Sequence, residues 1–466
     1  MILVRSIIVF LFSYVLLTGN TTAATIRCSD AAYAGKKLIF GSPSDPVTNE
    51  VIGVFTLNFD ANGKSSVAVK LSQTTYVFCD FGVYRGMLFL EPGDDIVLKL
   101  PPFREKSFAE QKNPYFSPVD FWFVSESGQQ LTDKISKFEQ QFNTLVEQHF
   151  NQLYIRQSKV VFDSIKTQLN QIVPVAANKV LQQHKKMEQE VLAADIFRKR
   201  PEAYSAVFNT VASSYWLYPA FIMCFNKTFD KQLSFSALSI KGAAVKKAVE
   251  TQNLSALAAF VEKKYKVSGE MADLVLLKLL HDGFYSGEFS QQVIANMVAS
   301  GRFTKNRNRL IRETSENITR KFTFLQKGSP APVFCLLDLG GKKVCSNAEK
   351  SKFKYIVFAD VDTRVCREHL KYLQLIDKSF NKSLKIYIVL RDTEKGKINN
   401  FFNANIIPGE KLQDKENQMA EKYKVCSYPQ CFLLDKYHRV VLKNAKAPLD
   451  GFQKQFGTIL HKAQMP

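Results

Sequence analysis

The chain has 466 residues, 46% hydrophobic and 23% charged, which corresponds to about three domains of ordinary globular composition. This excludes a mostly disordered chain, a collagen-like chain and a multi-span membrane protein. Lys and Arg number 63 against 43 Asp and Glu, a net charge of +20, which favours anionic surfaces such as lipid headgroups, cell-wall polymer or nucleic acid.

Residues 1–24 read as a secretory signal peptide. Arg5 supplies the positive start, Ile7 to Leu17 is apolar, and Thr18 to Ala24 turns small and polar, with Ala23 and Ala24 suiting a signal peptidase. The implied destination is the periplasm or another extracytoplasmic compartment. Disulfides persist there and nucleic acid is not a partner. The eight cysteines are too few for a disulfide scaffold of this length.

Residues 25–125 read as a β-sandwich-like domain. Phe55, Leu57 and Phe59 alternate with polar or small residues, as do Val67, Val69 and Leu71 on the far side of Asn62-Gly63, a hairpin signal. Further strands are expected at Tyr76–Phe81, Met87–Leu90 and Ile96–Leu100, with a turn at Glu91-Pro92-Gly93-Asp94.

Residues 126–325 change period and read as an α-helical domain. Leu131, Ile135, Phe138, Phe142 and Leu145 line one helical face. Ala256–Lys264, Met271–His281 and Gln291–Ala299 also read as helices, and Pro174, Pro201 and Pro219 break the region. Trp216, Tyr218 and Phe221 are expected in the core. Arg302, Lys305, Arg307, Arg309 and Arg312 read as a solvated helix face.

Residues 326–466 alternate strands and helices. Phe334–Leu339 and Lys343–Cys345 flank a Gly340-Gly341 turn, and Tyr355–Ala359 and Leu384–Leu390 are buried strands. Cys366, Leu370, Leu373, Ile376 and Phe380 mark a helix face, and a second helix lies near Asn417–Lys424. A hairpin of Cys431–Leu434 and Arg439–Leu442 and a closing helix at Phe452–His461 complete an α/β layer with two parallel core strands. The fold class is therefore α+β multidomain.

The run Gly328-Ser329-Pro330-Ala331-Pro332-Val333-Phe334 resembles the "G-x-x-A-P-x-F" start of TlpA-like thioredoxins and AhpC/TSA-like peroxiredoxins. The strand Tyr355–Phe358, the helix bearing Cys366, and Val425-Cys426-Ser427-Tyr428-Pro429-Gln430-Cys431-Phe432-Leu433-Leu434-Asp435 follow in that family's order. The last run resembles its cis-proline loop, "V-x-x-x-P-x-x-F-x-x-D". More loosely, Pro92-Gly93-Asp94 and the three-part layout are similar to large exported thioredoxin-fold proteins of the Bacteroidetes type. The resemblance implies a C-terminal thioredoxin-like domain, a role in redox homeostasis and no cofactor.

Dithiol chemistry needs an attacking thiolate at the start of a helix and a resolving thiol three residues on. Here the register reads Thr363-Arg364-Val365-Cys366, so Thr363 stands where the resemblance places the nucleophile and Cys366 where it places the resolver. Asp362 replaces the family tryptophan. The peroxiredoxin pattern P-x-x-x-[ST]-x-x-C is matched at Thr363 and Cys366, but Ala359 stands at its proline and Pro429 at its later arginine. His369, one turn on, is either a thiolate neighbour or a solvated helix residue.

Cys426 and Cys431 bracket the Tyr428–Pro429 loop and are either redox partners for Cys366 or small core residues. Cys335 and Cys345 lie near-opposite across the Gly340-Gly341 turn, and Cys28 and Cys79 lie within the β region, so each pair is a candidate bridge. The six histidines show no H-x-x-x-H or Cys/His cluster, so no metal site is expected. Three readings follow. One is a non-dithiol binding or chaperone-like module that takes extended peptides at Tyr428 and Pro429. Another is an oxidoreductase or peroxiredoxin-like enzyme acting on protein or peptide thiols through Cys366 and a non-standard partner. The last is a structural protein held at an anionic envelope surface.

Overall fold

The computed structural model describes residues 22–464 except 114, 173, 175–177, 240 and 241. The apolar run Ile7–Leu17 lies outside them. The protein is a mixed α+β chain that divides into two compact units, residues 1–319 and 320–466.

In the first unit, β1 (Thr22–Ser29), β4 (Lys64–Leu71), β7 (Asp95–Lys99) and β9 (Val124–Ser125) form one sheet. A second holds β2 (Lys37–Pro43), β3 (Val51–Asn58), β5 (Thr75–Phe81), β6 (Tyr84–Leu90) and β8 (Val119–Trp122). Inward residues of both sheets, among them Ile26, Phe40, Leu57, Val69, Val77, Leu88 and Ile96, make one core. Asn62-Gly63 is not a hairpin turn, since β3 pairs with β2 while β4 pairs with β1. The chain turns a corner there from one sheet to the other. Only Gly63 takes a positive φ, +72°, and a Cβ at that position would meet the Asp30 carbonyl.

Thr22, Ala23 and Ala24, expected inside the signal peptide, are the first residues of β1. They pair with Leu71, Lys70 and Val69, and Ala24 is fully buried.

The β and helical regions, read separately from sequence, share one unit because a face of the second sheet needs cover. Tyr76, Phe89 and Trp122 pack with Leu131, Ile135, Phe138 and Phe142 of the Leu131–Gln148 helix in a single core. The Thr132 hydroxyl donates to the Phe89 carbonyl at 3.2 Å and accepts from its N–H at 2.8 Å. Pro201 and Pro219 divide the region by beginning new helices, since the first helical position needs no N–H donor. Trp216, Tyr218 and Phe221 are buried. The basic run is no single face. Arg302 lies on the short Gly301–Thr304 helix and binds Asp273 at 2.7 Å, while Arg309 and Arg312 belong to Arg309–Thr323. Cys28 and Cys79 are buried thiols, not a bridge; they lie on strands of different sheets.

The second unit is one seven-stranded sheet, ordered β11 (Lys343–Cys345), β10 (Cys335–Asp338), β14 (Glu410–Asp414), β13 (Leu384–Arg391), β12 (Phe353–Ala359), β15 (Gln430–Leu434) and β16 (Val440–Ala445). Strand β13 runs parallel to both β12 and β14, and β15 is antiparallel to β12. The Arg364–Phe380 and Phe452–Gln464 helices cover one face. The other face packs Phe334, Phe358, Tyr387, Tyr423 and Phe432. This is a thioredoxin-like domain. Sequence patterning missed β14 and the Lys395–Ala404 helix. In β14 only Leu412 and Asp414 are buried, too little apolar signal to mark a strand.

Candidate functional site

Strand β12 ends at Ala359, and the Arg364–Phe380 helix begins five residues on. Thr363 caps that helix. Its hydroxyl donates to the Asp360 carbonyl at 2.9 Å and accepts from the Cys366 N–H at 3.4 Å. A capping hydroxyl fills the place beside the helix's positive end where a thiolate would be stabilised. Arg367 reaches back to donate to the carbonyls of Val361 at 2.8 Å and Asp362 at 3.2 Å, tying down the approach loop.

Cys366 faces inward and is completely buried, while its neighbour Val365 is 58% exposed. Cys366 shares a core cluster with Cys431, Tyr355, Val357 and Leu370, and Tyr428 packs against that cluster. Cys431 is 2% exposed. Burial, helped by the nearby Cys366, pushes its thiol up to about 12, against the lowering effect of a hydrogen bond with Tyr355. Cys426, by contrast, is exposed and hydrogen-bonds the Lys424 carbonyl at 3.4 Å. All three are thiols. The structure therefore brings Cys431, not Cys426, into the core that holds Cys366.

The Tyr428–Pro429 peptide is cis. The Tyr428 hydroxyl is pushed up to about 12 by burial, with Arg391 opposing and Asp414, Asp360 and Cys366 adding to the rise. Gln430, the residue after Pro429, pairs with Phe358 of β12, so the loop lies beside the end of the strand that leads to the helix start. The Arg391 guanidinium carbon is 5.2 Å from the Tyr428 ring centroid, a cation–π contact. Arg391 also pairs with Asp360 at 3.2 Å, and the Asp360 side chain is 1% exposed. Asp362 accepts from Thr393 at 2.9 Å and lies 3.7 Å from the Lys397 ammonium. A charged network, rather than an aromatic wall, borders this helix start.

His369 is not solvated. It is 7% exposed, and its Nδ1 accepts from the Leu449 N–H at 3.1 Å. The Pro448–Asp450 turn that covers it carries no signal in the helix periodicity. Cys335 and Cys345 are direct cross-strand partners and form a disulfide.

Elsewhere the structure gathers Glu139, His184 and Glu188, whose ligand atoms all lie within 4.8 Å of one another. A search for paired histidines passes over this set. The legible trace is His184-x-x-x-Glu188, which sets both on one helix face.

Residues 327–443 match the family model described as the AhpC/TSA family. The thiol-disulfide oxidoreductase ResA of Bacillus thuringiensis (strain Al Hakam) is 28% identical over 136 residues, covering 28% of this chain and 79% of that protein. The ResA of Bacillus anthracis matches to the same extent, 28% over 136 residues. Among solved structures, the thioredoxin domain of a thiol-disulfide oxidoreductase from Bacteroides vulgatus is 22% identical with a TM-score of 0.27, covering 29% of this chain and 99% of that one. A thiol:disulfide interchange protein from Bacteroides sp. is 24% identical with a TM-score of 0.27, covering 30% and 94%. Among the described residues no helix is long and apolar enough to cross a membrane.

Proposed function

We propose that this chain, a TlpA-like thioredoxin-fold protein, works as a non-dithiol relative of the thiol-disulfide oxidoreductases, binding extended polypeptide at the Tyr428–Pro429 loop. The observation that carries the reading is Thr363. A hydroxyl caps the helix where an attacking thiolate is needed, and Cys366, three residues on, is fully buried. Without an exposed thiolate at the helix start, no mixed disulfide forms there. The loop beside the helix start then offers a binding edge without redox turnover. Export to the periplasm or a similar compartment is part of the proposal, on Arg5 and the Ile7–Leu17 run. The net charge of +20 suits an anionic envelope surface.

The test is titration of the full mature chain into a fluorescently labelled, thiol-free unfolded polypeptide, followed by anisotropy. Saturable binding should persist in Cys366→Ala and weaken several-fold in Tyr428→Ala. No binding, or binding that depends on Cys366, refutes the reading.

A second reading rests on the shared core of Cys366 and Cys431. These two thiols would lose two protons and two electrons to a partner disulfide, forming a bond between them and releasing two partner thiols. In that case disulfide reduction is measurable and Cys366→Ala or Cys431→Ala abolishes it.

A further inference from the structure

Trp122, at the end of β8, points its indole N–H at Glu139 of the Leu131–Gln148 helix, 2.5 Å from Oε2. The other oxygen, Oε1, lies 2.9 Å from Nε2 of His184 on the Lys179–Ile196 helix. Glu188 sits one turn further along that helix, on the same face. The ligand atoms of Glu139, His184 and Glu188 lie within 4.8 Å of one another.

Three features distinguish this set from a surface ion pair. His184 is 4% exposed, and its ring is held edge-on between Trp122 at 6.1 Å and Phe138 at 6.0 Å. Its Nδ1 is buried and has no hydrogen-bond partner, an outlay that native cores usually avoid. Two carboxylates also share the space around one imidazole. A cation between the carboxylates relieves their repulsion. The Glu139 side chain is 28% exposed, so solvent reaches the cluster.

We propose that Glu139, His184 and Glu188 bind a divalent first-row transition metal ion of the zinc type. One imidazole nitrogen and two carboxylate oxygens are a donor set that suits such an ion, whereas calcium and magnesium take oxygen ligands. Ligands at about 2.1 Å around a tetrahedral zinc stand roughly 3.4 Å apart, so the three side chains close in slightly on binding. The Trp122 indole holds the outer oxygen of Glu139, the orienting role that neighbouring groups play around metal ligands. The remaining coordination position is left for water or a ligand. This site belongs to the first unit and does not depend on the reading of Thr363 and Cys366.

The experiment uses tag-free, metal-stripped full mature chain titrated with Zn2+ and Co2+ by calorimetry and absorption. One equivalent should bind, with Co2+ showing ligand-field bands and no thiolate charge transfer. Glu188→Gln, isosteric and partly exposed, should weaken binding at least tenfold, and Ca2+ should bind at least tenfold more weakly than Zn2+. A readout on the native chain needs no variant in the site: substoichiometric Co2+ should shift the Trp122 indole N–H resonance far more than that of Trp216. No saturable binding, binding unchanged in Glu188→Gln, binding lost instead in Cys426→Ser, or an unmoved Trp122 resonance would each overturn the proposal and leave the cluster as a hydrogen-bond network.

Discussion

The Asp360 carboxylate, 1% exposed, is matched by the Arg391 guanidinium at 3.2 Å, across neighbouring parallel strands. The pair lies where β12 gives way to the helix start, and Asp360 also accepts from the Asp362 N–H at 3.0 Å. Removing one partner of a buried pair leaves the other charge less well compensated, at a cost of up to about 3–5 kcal/mol. Arg391→Met should therefore lower stability by about 3 kcal/mol in urea denaturation. The double variant Asp360→Asn/Arg391→Met should recover most of it. An Arg391→Met protein as stable as the native one would show that the pair does not hold this loop.

Cys431 gives a pH prediction. Its thiol is pushed up to about 12 from 9.0, so the unfolded chain ionises first as pH rises. Its contribution to stability is complete below about pH 9 and is lost progressively between there and pH 12, at a slope of about 1.4 kcal/mol per pH unit. Cys431→Ala should remove that one-proton slope from the alkaline limb of the stability profile. At neutral pH, alkylation of the native chain should modify exposed Cys426 and spare Cys366 and Cys431 until the protein unfolds. Rapid labelling of Cys431 in the native state would contradict its burial.

The Cys335–Cys345 bridge closes a ten-residue separation. Six of the eight cysteines are thiols, so denatured, unreduced mature protein should titrate six and reduced protein eight. Replacing both bridge cysteines with Ser should cost about 2–3 kcal/mol through the loop-closure entropy restored to the unfolded chain. A count of eight before reduction would mean that the bridge does not form.

The position of β1 bears on processing. Ala24 is fully buried, and Thr22 to Ala24 pair with β4. Cleavage after Ala24 would remove these three residues from the strand. If the chain is exported as proposed, its processed form should begin at or before Thr22, as N-terminal sequencing of envelope protein would show. A start at Thr25 would mean that the sheet forms without them.

Much of the thioredoxin-like unit was legible because its signals are local. Apolar runs mark β12 and β13, a clean helical stripe marks Cys366 to Ile376, and Tyr428-Pro429 sits in a recognisable loop. Non-local relations were not legible. Asn62-Gly63 looks like a hairpin because alternation reports a strand but not its partner. His369 looks solvated because nothing in its helix announces the Pro448–Asp450 turn above it. Strand β14 is nearly polar in sequence and exists because β13 and β10 flank it. The Asp360–Arg391 pair and the contact of Glu139 with His184 join residues far apart in the chain, and only the His184-x-x-x-Glu188 spacing leaves a trace in the sequence.

Disulfide reduction by the native chain, Cys366→Ala and Thr363→Cys tests the central claim most directly. The native protein and Cys366→Ala should both reduce insulin at background rate. Thr363→Cys should create a C-R-V-C pair, with the new thiol at the helix's positive end, and raise the rate measurably. Efficient reduction by the native chain, abolished in Cys366→Ala, would contradict the account.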